Sequence, residues 1–432
     1  MVPGPVEPGR SDAAAPAAPC AQVRAAVNRI IDRRAVRTVF QPLVHLATGE
    51  VVGYEALARG PERSPVESPL ALLAAARAVG RLHELDWACA AEACRSAAAA
   101  SLHPSMTVFL NFDPETLLTP VPDDLRPLTR RARDQLRIVV DIEERAVVEN
   151  PSRMLEALAA VRETGWGTAV DHAEADPTAL ALLPIVHPDV VKLDLRVLGD
   201  DLGAVAAIGD EARAYAEQSG ATLLAQGVEH DADVAVAQMA GASFGQGFYY
   251  GRPAPLPAER AVPRSVFPLL AAPLVAVEET PFDLVTSRSR PGTIAKRLLA
   301  PLSRHVEAQA TRNGPPALLL VSFQFGHAPD RTTRRRLERL GRDAAFTAAL
   351  GTGLDLEGGP TVRTAAIDPA DAMRNDWSTI VLGAHYAAAL VARDLGDAGA
   401  DGARRYAYAL VHDRELVAAA AQLVLGRFTR RS

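Results

Sequence analysis

Cysteine and long apolar runs are scarce in this chain. Its three cysteines lack metal-ligand spacing and fit a reducing cytoplasm, which excludes a disulfide framework. No uninterrupted apolar run reaches the ~18 residues that a transmembrane helix needs, so a membrane span is excluded. The first 19 residues carry five prolines without an apolar core, which excludes the layout of a signal peptide. We therefore expect a cytoplasmic protein, with residues 1–20 as a disordered tail.

A surplus of positive charge is also absent. The chain has 46 lysine and arginine residues against 52 aspartate and glutamate residues, for a net charge of −6. Nucleic acids and anionic membrane surfaces are bound through a basic face. We therefore expect neither a nucleic acid nor a membrane as a partner.

The chain contains many short apolar runs. A length of 432 residues exceeds one ordinary domain, and a hydrophobic content of 48% is ample for buried cores. Eight runs are rich in Val, Ile, Leu or Phe, as in strands buried on both faces. They are 38–46, 51–58, 106–112, 136–142, 167–172, 190–195, 222–228 and 244–250. Most are separated by segments long enough for a helix, so residues 21–258 predict a (β/α)8 barrel.

One connection departs from this alternation. Residues 47–50 are too few for a crossover helix, and two strands joined so tightly must be antiparallel. We therefore predict that the first strand runs against the rest of the barrel.

A second α/β domain is predicted for residues 267–428, after the proline-rich segment 253–257. Its predicted strands are 317–323, 378–382 and 406–411, and its predicted helices are 292–309, interrupted at Pro301, and 414–426. The segment 331–342 holds six arginines, with Leu337 and Leu340 spaced for one helix face. We interpret these arginines as the solvated side of that helix.

Polar residues stand where the barrel strands end, at the face that carries the active site in this architecture. In chain order they are Glu55, Arg59, Asn111, Asp141, Glu143, Glu144, Asp171, Lys192, Asp194, Gln226, Glu229 and Gln246. Buried strands rarely tolerate such groups unless they are paired or bind a metal. Hard oxygen ligands on one rim suit Mg²⁺ or Mn²⁺, and a lysine beside them can neutralise phosphate charge. This set of residues suits metal-assisted hydrolysis of a phosphodiester.

The order of short motifs along residues 21–258 resembles the EAL-domain family. The motifs are Phe40-Gln41-Pro42-Leu43-Val44, Glu55-Ala56-Leu57, Asn111, Lys192-Leu193-Asp194, Gln226-Gly227-Val228-Glu229 and Gln246-Gly247-Phe248. Members of this family are phosphodiesterases that linearise cyclic-di-GMP with two metal ions, or inactive relatives that bind the dinucleotide or a partner. The resemblance therefore implies an EAL-type barrel with a site for cyclic-di-GMP.

The resemblance also implies roles for individual residues. Four become ligands of a first metal ion, Mg²⁺ or Mn²⁺: Glu55, Asn111, Asp141 and Asp171. Two become catalytic residues, the first of them near the attacking water: Lys192 and Glu229. Four become contacts of the nucleotide: Gln41, Leu57, Arg59 and Gln246.

Several positions depart from the family pattern. The family has a second aspartate where His172 stands and a glutamate where Gln226 stands. It has glutamate at Asp141, and its Phe-Gly-Thr-Gly loop is replaced at 173–176 by a stretch without glycine, before Pro177. Neutral imidazole is a poor substitute for carboxylate at Mg²⁺, and an amide cannot act as a base. We therefore predict a degenerate site that has lost its second metal and most hydrolysis, while binding is less affected.

The second region resembles the DICT sensory domain, mainly through Val381-Leu382-Gly383-Ala384-His385-Tyr386. Further similarity lies in Thr280-Pro281-Phe282, Val321-Ser322-Phe323-Gln324, Asn375-Asp376-Trp377 and Arg393-Asp394-Leu395. The resemblance implies a sensory module. Trp377 and His385 flank an apolar strand, either as ligand contacts at a strand end or as a core residue and a helix-cap residue.

Three hypotheses follow. In the first, the degenerate barrel binds cyclic-di-GMP or a protein partner, and the second domain supplies or receives a signal. In the second, the barrel is an active phosphodiesterase whose metal site is completed by His172, Glu174 or Asp176. In the third, the chain is a scaffold that binds no nucleotide. Lys192 is either an active-site residue or a salt-bridge partner of Asp194. Whether the chain forms a homodimer is left open.

Overall fold

The computed structural model describes residues 21–149, 151–173, 177–198, 202–270, 279–312, 317–324, 330–351, 354, 361–383, 385–397 and 400–428. The predicted tail over residues 1–20 lies outside the described residues, as do Glu174 and Asp176. No helix within the described ranges is long and apolar enough to cross a membrane.

The first part of the chain forms a closed barrel of eight strands with helices between them. The strands are β1 (Arg37–His45), β2 (Val51–Arg59), β3 (Thr107–Asn111), β4 (Arg137–Glu143), β5 (Gly167–Asp171), β6 (Val190–Asp194), β7 (Thr222–Gln226) and β8 (Phe244–Gly245). The helices are α1 (Ala21–Asp32), α2 (Pro69–Ala78), α3 (Leu82–Ala99), α4 (Pro114–Leu117), α5 (Arg126–Gln135), α6 (Glu144–Glu149), α7 (Pro151–Glu163), α8 (Pro177–Val186), α9 (Leu195–Leu198), α10 (Leu202–Ser219) and α11 (Asp231–Met239). Strands pair in chain order and the barrel closes through β1 and β8, which confirms the predicted fold.

Strand β1 runs antiparallel to both of its neighbours, as the short connection predicts. The turn after it places Gly49 in the left-handed region, with φ +69°, and the N–H groups of Thr48 and Gly49 donate to the carbonyl of His45. The other neighbouring strands pair in parallel. The register of β1 places Gln41 opposite Glu55.

Two layers of strand side chains fill the barrel. The apolar layer has one residue from each strand: Leu43, Val52, Phe109, Val139, Ala169, Val190, Leu224 and Phe244. For every strand except β2, a polar residue stands two positions from this apolar residue, and the one for β8 directly follows the strand. These polar residues are Gln41, Asn111, Asp141, Asp171, Lys192, Gln226 and Gln246. Side chains two positions apart on a strand point to the same side. These residues and Glu55 of β2 form a polar layer next to the apolar one, toward the carboxyl ends of the parallel strands.

The strand predicted at residues 244–250, the last of the barrel, is shorter in the structure. Only Phe244 and Gly245 pair as a strand, and the N–H groups of Tyr250 and Gly251 donate to the carbonyl of Gly247 in a turn. The aromatic run that suggested a longer strand lies at the surface instead, where Phe248 and Tyr249 are 43% and 48% exposed.

The second part of the chain is an α/β domain, as predicted. Its strands are β9 (Gly292–Ala295), β10 (Leu318–Phe323), β11 (Phe346–Gly351), β12 (Arg363–Ala366), β13 (Asp376–Leu382), β14 (Ala387–Asp394) and β15 (Arg405–Val411). Its helices are α12 (Pro281–Arg288), α13 (Lys296–Gln309), α14 (Arg331–Asp343) and α15 (Arg414–Leu425). The strands form one sheet in the order β12-β11-β10-β13-β14-β15-β9. Helices α13 and α14 cover one face of this sheet, and α12 and α15 cover the other.

The prediction for residues 292–309 is wrong at its start and at Pro301. The first four residues form the edge strand β9, which pairs with β15, and the helix begins at Lys296. The helix continues through Pro301, although a proline inside a helix removes one backbone hydrogen bond and its ring crowds the carbonyl four residues before it. Strands β11, β12 and β14 were not predicted, since their alanine-rich sequences are also typical of helices.

Trp377 and His385 differ in environment. Trp377 is half-buried on β13 and packs edge-on against Tyr406 with ring centroids 6.2 Å apart, as a core residue does. The helix-cap interpretation of His385 is wrong, because His385 lies in the hairpin between β13 and β14. Its side chain is 64% exposed and lies 3.9 Å from Glu211 of the barrel. In α14, Leu337 and Leu340 are buried as predicted.

Arg393 ties helix α12 to the sheet of the second domain. Its guanidinium donates to Asp376 at 2.7 Å and to Asp283 at 2.7 Å, and the Asp376 side chain is 1% exposed. Replacing Arg393 with methionine is expected to lower the free energy of unfolding by about 3 kcal/mol, because a buried carboxylate loses its partner. Chemical denaturation measures this loss. Arg405→Met, which removes an exposed pair with Asp397, serves as the control and should change little. Equal losses in the two variants would contradict the prediction.

Helix α15 joins the second domain to the barrel. It packs on α8 and α7, and the two parts of the chain share one continuous cluster of buried apolar residues. The Gln422 side chain donates to the carbonyl of Ile185 at 2.6 Å. Helix α8 therefore belongs to both cores.

Candidate functional site at the mouth of the barrel

The polar layer brings one side chain from each strand to the mouth of the barrel. Most of it is buried: Lys192 is 0% exposed and Asp141 2%. The sequence predicts this convergence because the carboxyl ends of parallel strands meet at one face. All eight members were among the predicted site residues.

Lys192 occupies the centre of this layer. Its ammonium pairs with Asp141 Oδ2, lies 3.5 Å from Glu55 Oε1 and sits 5.4 Å from the ring centroid of Phe109. Burial alone would lower the pKa of Lys192, but the carboxylates of Asp141, Glu55 and Asp171 outweigh burial and raise it above its usual range. Lys192 is therefore a buried cation held by carboxylates. The chain has only one other lysine, Lys296, so arginine is its usual cation and Lys192 is an exception.

Amide side chains hold Glu55 in place. Asn111 Nδ2 donates to Glu55 Oε1 at 3.0 Å, and Gln246 Nε2 donates to Glu55 Oε2 at 2.6 Å. The same Gln246 nitrogen lies 3.1 Å from Gln41 Oε1, and Gln41 donates to the carbonyl of Gly251 at 3.2 Å. Four residues with predicted ligand or metal roles thus form one network: Gln41, Glu55, Asn111 and Gln246.

Asp194 pairs with Arg196 and His172, and not with Lys192 as the salt-bridge interpretation requires. Its carboxylate accepts from Arg196 Nη2 at 2.5 Å and lies 3.5 Å from His172 Nε2. Burial would raise the pKa of Asp194, but the hydrogen bonds from His172 and Arg196 hold it well below its usual range. The proposed salt bridge between Lys192 and Asp194 is wrong, because Lys192 pairs with Asp141. Arg196 was not among the predicted site residues, although its spacing two positions after Asp194 could have indicated it.

His172 bridges the two sides of the site. Its backbone is in the left-handed region, with φ +54°, which is strained for a residue with a side chain. Its Nδ1 lies 3.3 Å from Asp171 Oδ1, and its Nε2 faces Asp194. The imidazole of His172 therefore lies between two carboxylates.

The donor chemistry of the polar layer is suited to a divalent cation. Glu55, Asp141 and Asp171 offer carboxylate oxygens and Asn111 offers an amide, and Asp141 Oδ1 is buried without a hydrogen-bond partner. Such an orphaned acceptor needs an explanation, and a cation would supply one. As the side chains stand, no three His, Cys, Asp or Glu residues within the described ranges are arranged to hold a metal ion. In this arrangement Asp141 and Glu55 contact the Lys192 ammonium.

Two cavities open at the mouth. The larger, of about 410 Å³, is bounded by β2, β3, α2 and α3, and the smaller, of about 150 Å³, lies beside β7 and β8. Leu57 lines both cavities, and Gln226 and the exposed Glu229 line the smaller one. Arg59 is not among the residues that line the two cavities within the described ranges. Its guanidinium donates to the carbonyl of Ala58 at 2.8 Å.

Asp86 lines the larger cavity and was not predicted as a site residue. Burial raises its pKa to about 7, although Thr116 Oγ1 and the N–H of Asp113 donate to its Oδ2 at 2.8 and 3.1 Å. Between pH ~4, where an unfolded aspartate loses its proton, and pH 7, the folded state therefore binds more protons than the unfolded chain. Stability from this group falls as pH rises through that window.

The isosteric variant Asp86→Asn removes this titration and keeps an oxygen for both donors. We expect its stability relative to the wild type to improve by about 1 kcal/mol per pH unit from pH 5 to 7. Denaturation curves at pH 5, 6 and 7 measure the difference. A difference that is constant with pH would contradict the raised pKa.

The fold and the site define a (β/α)8 barrel with a ligand-binding or catalytic mouth. The chain belongs to the EAL-domain family, whose model matches residues 24–253. A second family model, described as a sensory domain in diguanylate cyclases and two-component systems and abbreviated DICT, matches residues 279–395.

Individual proteins are similar to about half of this chain. The oxygen sensor protein DosP of Escherichia coli strain K12 is 25% identical over 247 residues, 54% of this chain and 30% of DosP. The probable cyclic di-GMP phosphodiesterase PdeG of the same strain is 24% identical over 238 residues, 52% of this chain and 46% of PdeG. The chain spans less than half the length of these curated relatives.

Solved structures are also similar to this chain. A manganese and cyclic-di-GMP complex of Klebsiella pneumoniae BlrP1 is 26% identical, with a TM-score of 0.45, and the match covers 51% of this chain and 56% of that one. The Pseudomonas aeruginosa FimX EAL domain bound to c-di-GMP is 18% identical, with a TM-score of 0.48, covering 55% of this chain and 98% of that one.

Proposed function

We propose that the barrel binds cyclic-di-GMP with one divalent cation, Mg²⁺ or Mn²⁺, and hydrolyses it slowly or not at all. The EAL and DICT matches indicate a role in cyclic-di-GMP signalling. The relative PdeG is named a probable cyclic di-GMP phosphodiesterase. The second domain would supply or receive the signal. The observation that supports binding is the polar layer, where a buried ammonium and four metal-type donors share one mouth.

Each group has a task in this proposal. Lys192 provides a fixed positive charge for a phosphate, and Glu55, Asn111, Asp141 and Asp171 would hold the cation. A bound Mg²⁺ or Mn²⁺ would draw charge from a phosphodiester oxygen. Gln246 orients Glu55 and is itself held by Gln41. Both glutamines offer amide groups, and Leu57 gives an apolar wall.

The other side of the mouth supports weak hydrolysis. Gln226 presents a neutral amide whose Oε1 is buried without a hydrogen-bond partner, and an amide cannot accept a proton from water. Asp194 is engaged by Arg196 and His172 and its charge is already balanced. We infer that a second metal ion is disfavoured there.

Calorimetric titration of cyclic-di-GMP into the full chain, with and without MnCl2, tests the proposal. We expect one saturable site per chain that MnCl2 strengthens. Gln246→Ala should weaken binding, because it frees Glu55, whereas Arg405→Ala on the surface of the second domain should not. If the wild type shows no heat of binding in either condition, the proposal fails and a protein partner or scaffold role is favoured.

Glu229 supports the second candidate, an active phosphodiesterase. Its exposed carboxylate lines the smaller cavity together with Gln226 and could act as a base in its place. This candidate would be favoured if the wild type converts cyclic-di-GMP to the linear dinucleotide over many turnovers. The Glu229→Gln variant should then lose this activity.

A further inference from the structure

The segment that follows the barrel crosses its base, at the end opposite the polar layer. The guanidinium of Arg137 donates to the carbonyl of Phe267 at 2.7 Å, and the N–H of Leu270 donates to Asp189 Oδ1 at 2.5 Å. Arg137 begins β4, and Asp189 directly precedes β6. At Gly167, the first residue of β5, a Cβ would lie only 2.6 Å from Leu269 Cδ2. Residues 267–270 are therefore fitted to the amino ends of the strands.

Phe267 fills the centre of this base. It is 0% exposed and belongs to the same buried cluster as the eight residues of the apolar layer. Its ring lies 4.4 Å from the ring of Phe244 and 5.5 Å from the ring of Phe109, centroid to centroid. Although Phe267 follows the barrel strands in the sequence, it completes their core.

The rings that Phe267 contacts also support the polar layer. Phe109 faces the Lys192 ammonium at 5.4 Å, and Asn111, which donates to Glu55, stands two positions further on the same strand. Phe244 stands two positions before Gln246, the other donor to Glu55. Packed interiors transmit a shift in one side chain to its neighbours. A displacement of Phe267 would thus reach both Lys192 and Glu55.

We propose that Phe267 is a positioning residue for the candidate site, through which the segment leading to the second domain sets the placement of Lys192 and Glu55. The binding test of this inference rests on the proposed function, that the barrel binds cyclic-di-GMP. Phe267 does not touch the ligand and acts only through Phe109 and Phe244. A movement of the segment at residues 267–270 would then change the affinity of the mouth for a phosphodiester ligand.

The test compares Phe267→Ala and Phe267→Leu with Ile31→Ala in the full chain. Ile31 is equally buried but belongs to a separate cluster under α1. We expect Phe267→Ala to weaken cyclic-di-GMP binding about tenfold, Phe267→Leu to recover most of the loss, and Ile31→Ala to leave the affinity unchanged. Calorimetry measures the affinity, and thermal unfolding measures the stability loss that both alanine variants share.

Amide hydrogen exchange provides a readout without ligand. Phe267→Ala should speed exchange in β3 and β6, whereas Ile31→Ala should not. If the wild type binds no cyclic-di-GMP, the proposed function fails, and the exchange data alone decide on Phe267. If Phe267→Ala does not fold, Phe267→Val, which also removes the ring, takes its place in both comparisons. Unchanged exchange in β3 and β6, or equal loss of affinity in the Ile31 variant, would overturn the proposal.

Discussion

Replacing Lys192 with methionine is expected to lower the free energy of unfolding by about 3–5 kcal/mol. Lys192 is the buried cation beside Asp141, Glu55 and Asp171, and methionine keeps most of its length but removes its charge. The carboxylates would then face each other without a counter-charge in a buried site. Chemical denaturation at neutral pH measures the loss.

MnCl2 should restore much of the stability of Lys192→Met, because the carboxylates freed from the ammonium are donors for a divalent cation. Lys296→Met is the matched control, since Lys296 is the only other lysine and pairs with the exposed Asp401. That variant should lose about 1 kcal/mol or less and gain nothing from MnCl2. A similar loss in both variants, or no response of Lys192→Met to MnCl2, would contradict the assignment of the polar layer as a cation site.

The double variant His172→Asp with Gln226→Glu should hydrolyse cyclic-di-GMP at least about 10²-fold faster than the wild type in MnCl2. The two changes return a carboxylate to each position where the family has one. His172 and Gln226 also lie at the described mouth, so the new carboxylates would face the existing donors. Chromatography of the linear product against time measures the rate.

Each single variant serves as a control and should gain much less than the double variant. His172→Asp alone leaves the amide of Gln226, and Gln226→Glu alone leaves the imidazole beside Asp194. Arg196 still neutralises Asp194 in every variant. If the double variant gains nothing, the prediction that these two positions limit hydrolysis is wrong.

The barrel and its polar layer could be predicted from the sequence because both depend on simple geometry. Strands buried on both faces give consecutive apolar runs, and the short link at 47–50 leaves no room for a crossover. Polar residues two positions beyond apolar ones, as in Phe109 and Asn111, point to the same side of the strand. These rules need no knowledge of neighbours from other strands.

The partners within the site could not be predicted in the same way. Whether Lys192 pairs with Asp141 or Asp194 depends on the distances between β4 and β6, and Arg196 takes Asp194 only because α9 begins there. The insertion of Phe267 was likewise hidden, because a lone aromatic residue after the barrel carries no periodic signal. Alanine-rich strands such as β14 were missed because alanine also favours helices.

Equilibrium dialysis of the full chain against cyclic-di-GMP with MnCl2, followed by chromatography of the recovered nucleotide, tests the central claim most directly. The account predicts saturable binding of one cyclic-di-GMP per chain, recovered in its intact cyclic form. Absence of saturable binding, or recovery of the nucleotide as the linear dinucleotide, would contradict it.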